Sequence, residues 1–233
     1  MKLTVLGKYG PYPLKGGACS GYLIEDDNTK LLVDIGPGVF ARLMEVMNPE
    51  ELDGIIISHF HFDHSSDMGV LRYYLSSKGK QLNLVVPNEP KDKMKEYNGS
   101  TFIITTISKN SELKFNNLTL KFYETVHPIK TFGIGFFKNN RKILHYTSDT
   151  KLFDSLSHDI GGAKYILGEA GCLRQTDLSS QLHIYVGDLI RIAKENNSKL
   201  LLTHFNEEDE VVEEIVNNKD IVVVKERETY ILR

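Results

Sequence analysis

The chain has 233 residues, 41% hydrophobic and 25% charged, which points to one globular domain over residues 1–233 and excludes a disordered chain. Its 28 basic and 31 acidic residues leave a formal net charge of -3. That balance lacks the basic surface a general binder of nucleic-acid backbones needs.

Leu3–Leu6 reads as a short strand, and SGYLIEDDNTKLLVDIG as two strands around a polar turn at Asp26–Thr29. Gly36, Pro37 and Gly38 stop the second of these. VFARLMEVM then has the apolar spacing of a helix, through Phe40, Leu43, Val46 and Met47. GIIIS is β-branched and continuous, as a buried strand is. SSDMGVLRYYLSS reads as a helix whose first turn carries Ser66 and Asp67. The middle of the chain is strand-like in NLVVP, STFIITTI, ELKF, NLTLKFYETVH, FGIGFFKN and RKILHYTSD, with a hairpin turn at KNNRK. The tail alternates: YILGEA as strand, SQLHIYVGDLIRIAKENN as helix, KLLLTHF as strand, EEDEVVEEIVNN as helix, then IVVVKERETYIL. Strand-rich halves that each end in helices predict an α+β fold with two sheets face to face and helices outside.

Two cysteines, Cys19 and Cys172, are too few for a disulfide framework and form no CxxC. No apolar run approaches the ~20 residues of a membrane span. The N-terminal MKLTVLGKYG lacks the apolar core of a signal peptide, so the expected location is the cytoplasm.

The stretch richest in chemistry is Ser58–Asp67, SHFHFDHSSD, which begins where the strand GIIIS ends. It places His59, His61, Asp63 and His64 within six residues, in a chain with eight histidines overall. Imidazole and carboxylate suit zinc and similar divalent ions, and this density could serve two metal centres. One cluster cannot close two coordination shells, so further ligands are expected at other strand ends. His127 ends NLTLKFYETV and precedes Pro128, Asp149 ends KILHYTSD, and His204 ends KLLLT. Each alone would be an ordinary turn residue; with the cluster they make a set of seven.

SHFHFDH resembles the HxHxDH signature of the metallo-β-lactamase fold, and His127, Asp149 and His204 match that superfamily's later ligand motifs in order. The resemblance runs from LLVDIGPG to LLLTHF. It implies a four-layer αββα sandwich with a dinuclear site at one edge of the sheets. One metal would be held by His59, His61 and His127, the other by Asp63, His64 and His204, with Asp149 bridging both. Zinc is the default, with manganese and iron as alternatives. The ribonuclease Z-like branch is the nearest. HYTSDT resembles its SGDT segment, with Ser148 where glycine is usual, and GEAG resembles its HEA segment at Glu169. QLHIYVGDLIRIAKENNSKLLLTHF is similar to its HST-containing helix and following strand. His183 then corresponds to the proton-donating histidine, and Glu169 to the acid that orients it. Relatives in the branch are often dimers, so the resemblance admits a homodimer.

The chain departs from ribonuclease Z proper in one respect that bears on substrate. Only 21 residues separate His127 from Asp149, filled by one hairpin, which leaves no room for the long arm that grips tRNA. The loop GKYGPYPLKGGACSG only loosely resembles the branch's PxKxRN region. Phosphodiester chemistry is untouched by either difference. Two divalent ions, Asp63, Asp149 and a bridging hydroxide would leave a net charge of about +1, which favours an anionic substrate. The expected function is a binuclear phosphodiesterase acting on a nucleotide-like or RNA-end phosphodiester, with Asp63, His183 and Glu169 in catalytic roles. The alternative is a hydrolase of carboxylic derivatives (lactone, thioester or β-lactam), which shares HxHxDH but does not need a proton-donating pair. A flavodiiron redox protein would have Glu in place of His61 and a flavin domain. A noncatalytic relative would have lost ligands.

Other residues take plainer readings. His145 is expected in the core, His158 in solvent, and Cys172 as buried filler or a pocket wall. Asp34 either supports the metal loop or caps its own turn. The lysines at 78, 80, 91, 93 and 95 read as a solvated face. Tyr12, Phe60, Phe62 and Phe132 either wall the site or pack.

Overall fold

The computed structural model describes residues 1–97, 99–173, 181–205 and 218–233. Its first sheet takes β1 (Lys2–Gly7), β2 (Gly21–Asp26), β3 (Thr29–Val33), β4 (Gly54–Ile56), β5 (Leu82–Pro87) and β6 (Phe102–Ile107). The second takes β7 (Glu112–Phe115), β8 (Leu118–Glu124), β9 (Phe132–Lys138), β10 (Arg141–Tyr146), β11 (Tyr165–Glu169), β12 (Lys199–Thr203) and β13 (Ile221–Val223). The last strand, β14 (Thr229–Ile231), returns to the first sheet beside β1. The orders are β14-β1-β2-β3-β4-β5-β6 and β13-β12-β11-β10-β9-β8-β7. In each sheet an antiparallel half gives way to a parallel one, from β3 to β6 and from β10 to β13.

Alternation along single strands builds three cores. Tyr22 and Ile24 of β2, Leu31 and Val33 of β3 and Leu201 of β12 point between the sheets, where they meet Phe122, Phe132, Ile134 and Phe136. Their neighbours Leu23, Leu32, Ile55 and Ile57 point outward, under α1 (Val39–Val46) and α3 (Met68–Ser77), whose Leu43 and Leu71 cover them. Leu200 and Leu202 likewise meet Leu189 and Ile192 of α6 (Val186–Glu195) and Ile160 of α5 (Leu156–Ile160). Strands covered on both faces read as continuous apolar runs, which is why GIIIS and KLLLT show no polar alternation. The layers are helix, sheet, sheet, helix, the αββα sandwich expected.

The sequence reading differs from the structure in local detail. The helix expected over 65–77 is two pieces, α2 (Phe62–Ser65) and α3. Asp67 stands between them and accepts from Phe40 N with Oδ2 (3.0 Å), so its carboxylate holds the start of α1 and not of α3. The helix expected from Ser180 begins at Val186; residues 182–185 are non-helical, where Tyr185 bridges to Cys172 and Val186 N donates to Cys172 O at 3.0 Å. Ser180, and the helix expected over 207–218 up to residue 217, lie outside the described residues. The short helices α4 (Lys91–Tyr97) and α5 were not expected, being too polar or too brief to show an apolar period. IVVVKERETYIL splits between sheets: β13 extends the second, β14 the first.

Candidate metal centre

The seven candidate ligands follow the C-terminal ends of β4, β8, β10 and β12, Glu169 ends β11, and His183 precedes α6. The parallel β10–β12 ladder carries Asp149, Glu169 and His204 out on the same side, and β8, antiparallel to β9, runs with β10 and delivers His127 there. Phe132 N donates to Ser58 O (3.1 Å), which joins β9 of the second sheet to the loop after β4 of the first. Three residues at these strand ends have left-handed backbones: Asp34 (φ 57°), Ser148 (φ 53°) and His204 (φ 60°). Such conformations are costly for residues with a Cβ and gather where several side chains must be turned to one point. Gly10 packs so close to His204 that a Cβ there would lie 2.1 Å from Nε2.

The ligand atoms form two adjoining groups. His59 Nε2 and His127 Nε2 lie 3.1 and 3.0 Å from His61 Nδ1, and Asp149 Oδ2 lies 3.6 and 3.7 Å from the first two. On the other side His204 Nε2 is 3.2 Å from Asp63 Oδ2 and 3.4 Å from Asp149 Oδ1, while His64 Nε2 is 3.6 and 3.3 Å from the same two oxygens. Asp149 thus turns one oxygen to each group.

Neighbouring acceptors select the tautomers. His64 Nδ1 donates to Asp34 Oδ2 (2.8 Å), His59 Nδ1 to Ser58 Oγ (3.1 Å) and His127 Nδ1 to Leu182 O (3.3 Å). Each ring is left with an Nε2 lone pair aimed into the cluster, the arrangement a metal ligand requires. Asp34 is itself gripped by Ser58 N (2.7 Å), Ser58 Oγ (2.8 Å) and Tyr146 OH (2.9 Å), so it supports the ligand loop and does not merely cap its turn. Ser58 and Tyr146 fall within SHFHFDH and HYTSDT, but nothing in either segment assigns them this supporting role.

These nitrogens and oxygens form a poor hydrogen-bond network by themselves. His64 Nε2 and Asp149 Oδ1 are buried with no hydrogen-bond partner, and His59 Nε2 and His127 Nε2 each crowd to about 3 Å from His61 Nδ1. A divalent cation in each group would satisfy both features, so the donor set fits the metals expected of it. The charges agree. Burial and the neighbouring imidazoles push His59 well below the usual histidine range; burial takes His127 down to about 4. Burial opposes charge on Asp63 too, but His64 and His204 outweigh it and hold the carboxyl at about 2.

Glu169 and His183 stand beside the cluster and make a different kind of contact. His183 Nδ1 donates to Glu169 Oε2 (2.6 Å), and Glu169 Oε1 accepts from Thr150 N (2.7 Å). Each carboxylate oxygen thus accepts a hydrogen bond, and the pair still lies close enough to Asp149 and His204 to form a third group that could hold a metal ion. The His183 ring lies 5.7 Å from that of His127 and 5.3 Å from that of His204, facing both groups. Burial would lower its pKa, but the Glu169 charge and hydrogen bond outweigh that and raise it to about 9. A Cβ on Gly171 would fall 3.0 Å from both Glu169 Oε2 and the His183 ring.

Elsewhere His145 is buried, His158 exposed and Cys172 buried, as expected. Phe60 and Phe132 pack in the cores, whereas Tyr12 and Phe62 stand in solvent.

An αββα sandwich with this imidazole–carboxylate cluster at its strand ends defines a metallo-hydrolase of the metallo-β-lactamase fold, a class whose members bind divalent metal. The probable metallo-hydrolase YhfI of Bacillus subtilis is 29% identical over 214 residues, 88% of this chain and 86% of that protein. Its crystal structure matches with a TM-score of 0.90 and 26% identity, over 98% of both chains. The short form of human tRNase Z shares the fold over the whole of both chains, with a TM-score of 0.81 and 18% identity, in keeping with the ribonuclease Z-like relationship. The chain belongs to the family described as anti-Pycsar protein Apyc1, whose model matches residues 1–230. The protein of that name from Bacillus phage 010DV004 is 23% identical over 241 residues, 89% of this chain and 90% of its own. Among the described residues no helix is long and apolar enough to cross a membrane.

Proposed function

We propose that the chain is a binuclear phosphodiesterase acting on a nucleotide-like or RNA-end phosphodiester. His59, His61 and His127 hold one divalent ion, Asp63, His64 and His204 hold the second, and Asp149 serves both. Zinc suits the donor set best, with manganese and iron as alternatives. Bound there, two such ions supply Lewis acidity toward the phosphoryl oxygens and hydroxide at neutral pH.

The observation that carries the reading is the 2.6 Å contact between His183 Nδ1 and Glu169 Oε2 beside both ligand groups. Glu169 fixes the ring orientation through Nδ1, so the proton available to substrate is at Nε2. A ring whose pKa is raised to about 9 holds that proton at neutral pH and releases it to a leaving alkoxide. Hydrolysis of a thioester, or of any ester with a stable leaving anion, has little need of this donor.

The one hairpin between His127 and Asp149, β9 and β10, supports a small substrate over a folded tRNA. The test is a hydrolysis screen of the metal-loaded protein and an Asp63→Ala control. Bis(p-nitrophenyl) phosphate and cyclic nucleotides are set against lactones and thioesters. Turnover of the phosphodiesters, lost in the control, supports the proposal. Turnover confined to the carboxylic set replaces it with the alternative.

A further inference from the structure

Glu169 and His183, with Asp149 and His204, bring four ligand atoms to within 4.8 Å of one another. The set has the same composition as the second ligand group. Each joins one carboxylate and one imidazole, from Glu169 and His183 or from Asp63 and His64, to the shared pair Asp149 and His204. Two carboxylates and two imidazoles are a donor set that a divalent ion such as zinc accepts. Glu169 and Asp149 are both buried, and burial opposes charge on Glu169 while the Asp149 charge adds to that, so a cation between them relieves both. Because Asp149 and His204 belong to both sets, only one ion at a time can have all four donors of either.

The surroundings decide which set is filled first. His64 is held through Nδ1 by Asp34 and presents an unpartnered Nε2, whereas Glu169 and His183 are already bonded to each other at 2.6 Å. An ion entering beside the latter pair replaces that hydrogen bond and its proton, so the set with Asp63 and His64 is the stronger. The shared ring can serve either. His204 Nδ1 is buried with no hydrogen-bond partner, so tilting this ring breaks no tether of the kind that fixes His59, His64 and His127. We propose that Asp149, Glu169, His183 and His204 form a second seat for the ion otherwise held by Asp63 and His64, and that an ion there takes the proton donor out of use. The inference rests on the metal-binding part of the reading above and not on the phosphodiester substrate.

A double-mutant cycle in zinc content tests it, with Asp63→Ala, Glu169→Gln and the two combined. Each is dialysed against the same free zinc concentration, analysed for metal, and checked by far-ultraviolet circular dichroism. The wild type and both single variants should hold about two ions per chain and the combined variant about one, because Glu169 matters only once Asp63 is gone. A second measurement needs only the single variant: crystals of zinc-loaded Asp63→Ala, examined at the zinc absorption edge. They should show the second ion between Glu169 and His183. Retention of about two ions by the combined variant, loss of one from either single variant, or a second ion beside His64 in the Asp63→Ala crystals overturns the proposal. A wild type that holds fewer than two ions removes the metal reading itself, and the proposal with it.

Discussion

Asp34 Oδ2 accepts from His64 Nδ1 at 2.8 Å, both groups fully buried, although 30 residues separate them in the chain. The same carboxylate takes hydrogen bonds from Ser58 and Tyr146, so one side chain orients a ligand of one metal group and the loop that bears the other. Partners of this kind typically affect metal affinity 10–100-fold. Asp34→Ala should weaken metal retention by about that much while leaving a folded protein, and Asp34→Asn should lose less. Competition with a chromogenic chelator measures it; unchanged affinity in Asp34→Ala would show the contact to be structural only.

Asp149 offers an oxygen to each group, whereas His127 belongs to one. Elemental analysis of purified variants should therefore find both ions depleted in Asp149→Ala and about half the wild-type content in His127→Ala. Equal losses from the two variants would mean that Asp149 does not bridge.

His183 should matter in proportion to how badly the leaving group needs a proton. His183→Ala is expected to lower turnover of an alkyl phosphodiester by ~10²–10⁴-fold. A p-nitrophenyl ester, whose leaving anion is stable, should lose far less, and metal content should stay at the wild-type level. Uniform losses across both esters would remove the proton-donor role.

His145 bears on acid stability. Burial, reinforced by Lys142, lowers its pKa to about 3, against about 6.5 in an unfolded chain. Between those values the unfolded state binds more protons, so stability rises with pH from about 3 to 6.5 and is flat above. His145→Leu should abolish part of that slope, so that urea midpoints at pH 4 and 7 lie closer together than in the wild type. Unaltered spacing of the midpoints would assign the acid sensitivity to other groups.

Gly10 tests the packing around His204. With a Cβ 2.1 Å from Nε2 there is no room for Gly10→Ala unless the ring or the loop moves. The variant should lose metal from the Asp63–His64–His204 group while its far-ultraviolet circular dichroism stays that of the wild type. Normal metal content would mean that the loop gives way without cost.

The sequence by itself determined the layers and picked out the residues that converge as a candidate ligand set. Continuous apolar runs announce strands covered on both faces, and SHFHFDH packs four donors into a span so short that its chemistry is legible without coordinates. His127, Asp149 and His204 were readable too, because each interrupts an apolar strand at its end. What only the tertiary structure decided is who supports whom. The grip of Asp34 on His64, the tautomer of His127 set by Leu182 and the fit of Gly10 against His204 depend on contacts between residues far apart in the chain. The helix expected through His183 shows the same limit: local spacing favoured it, and the Cys172 bridge to Tyr185, with the Glu169 hydrogen bond, accompanies a turn and bend at 182–183 instead. Apolar period is a property of neighbours along the chain, whereas orientation of a buried polar group belongs to whatever acceptor the folded chain brings beside it.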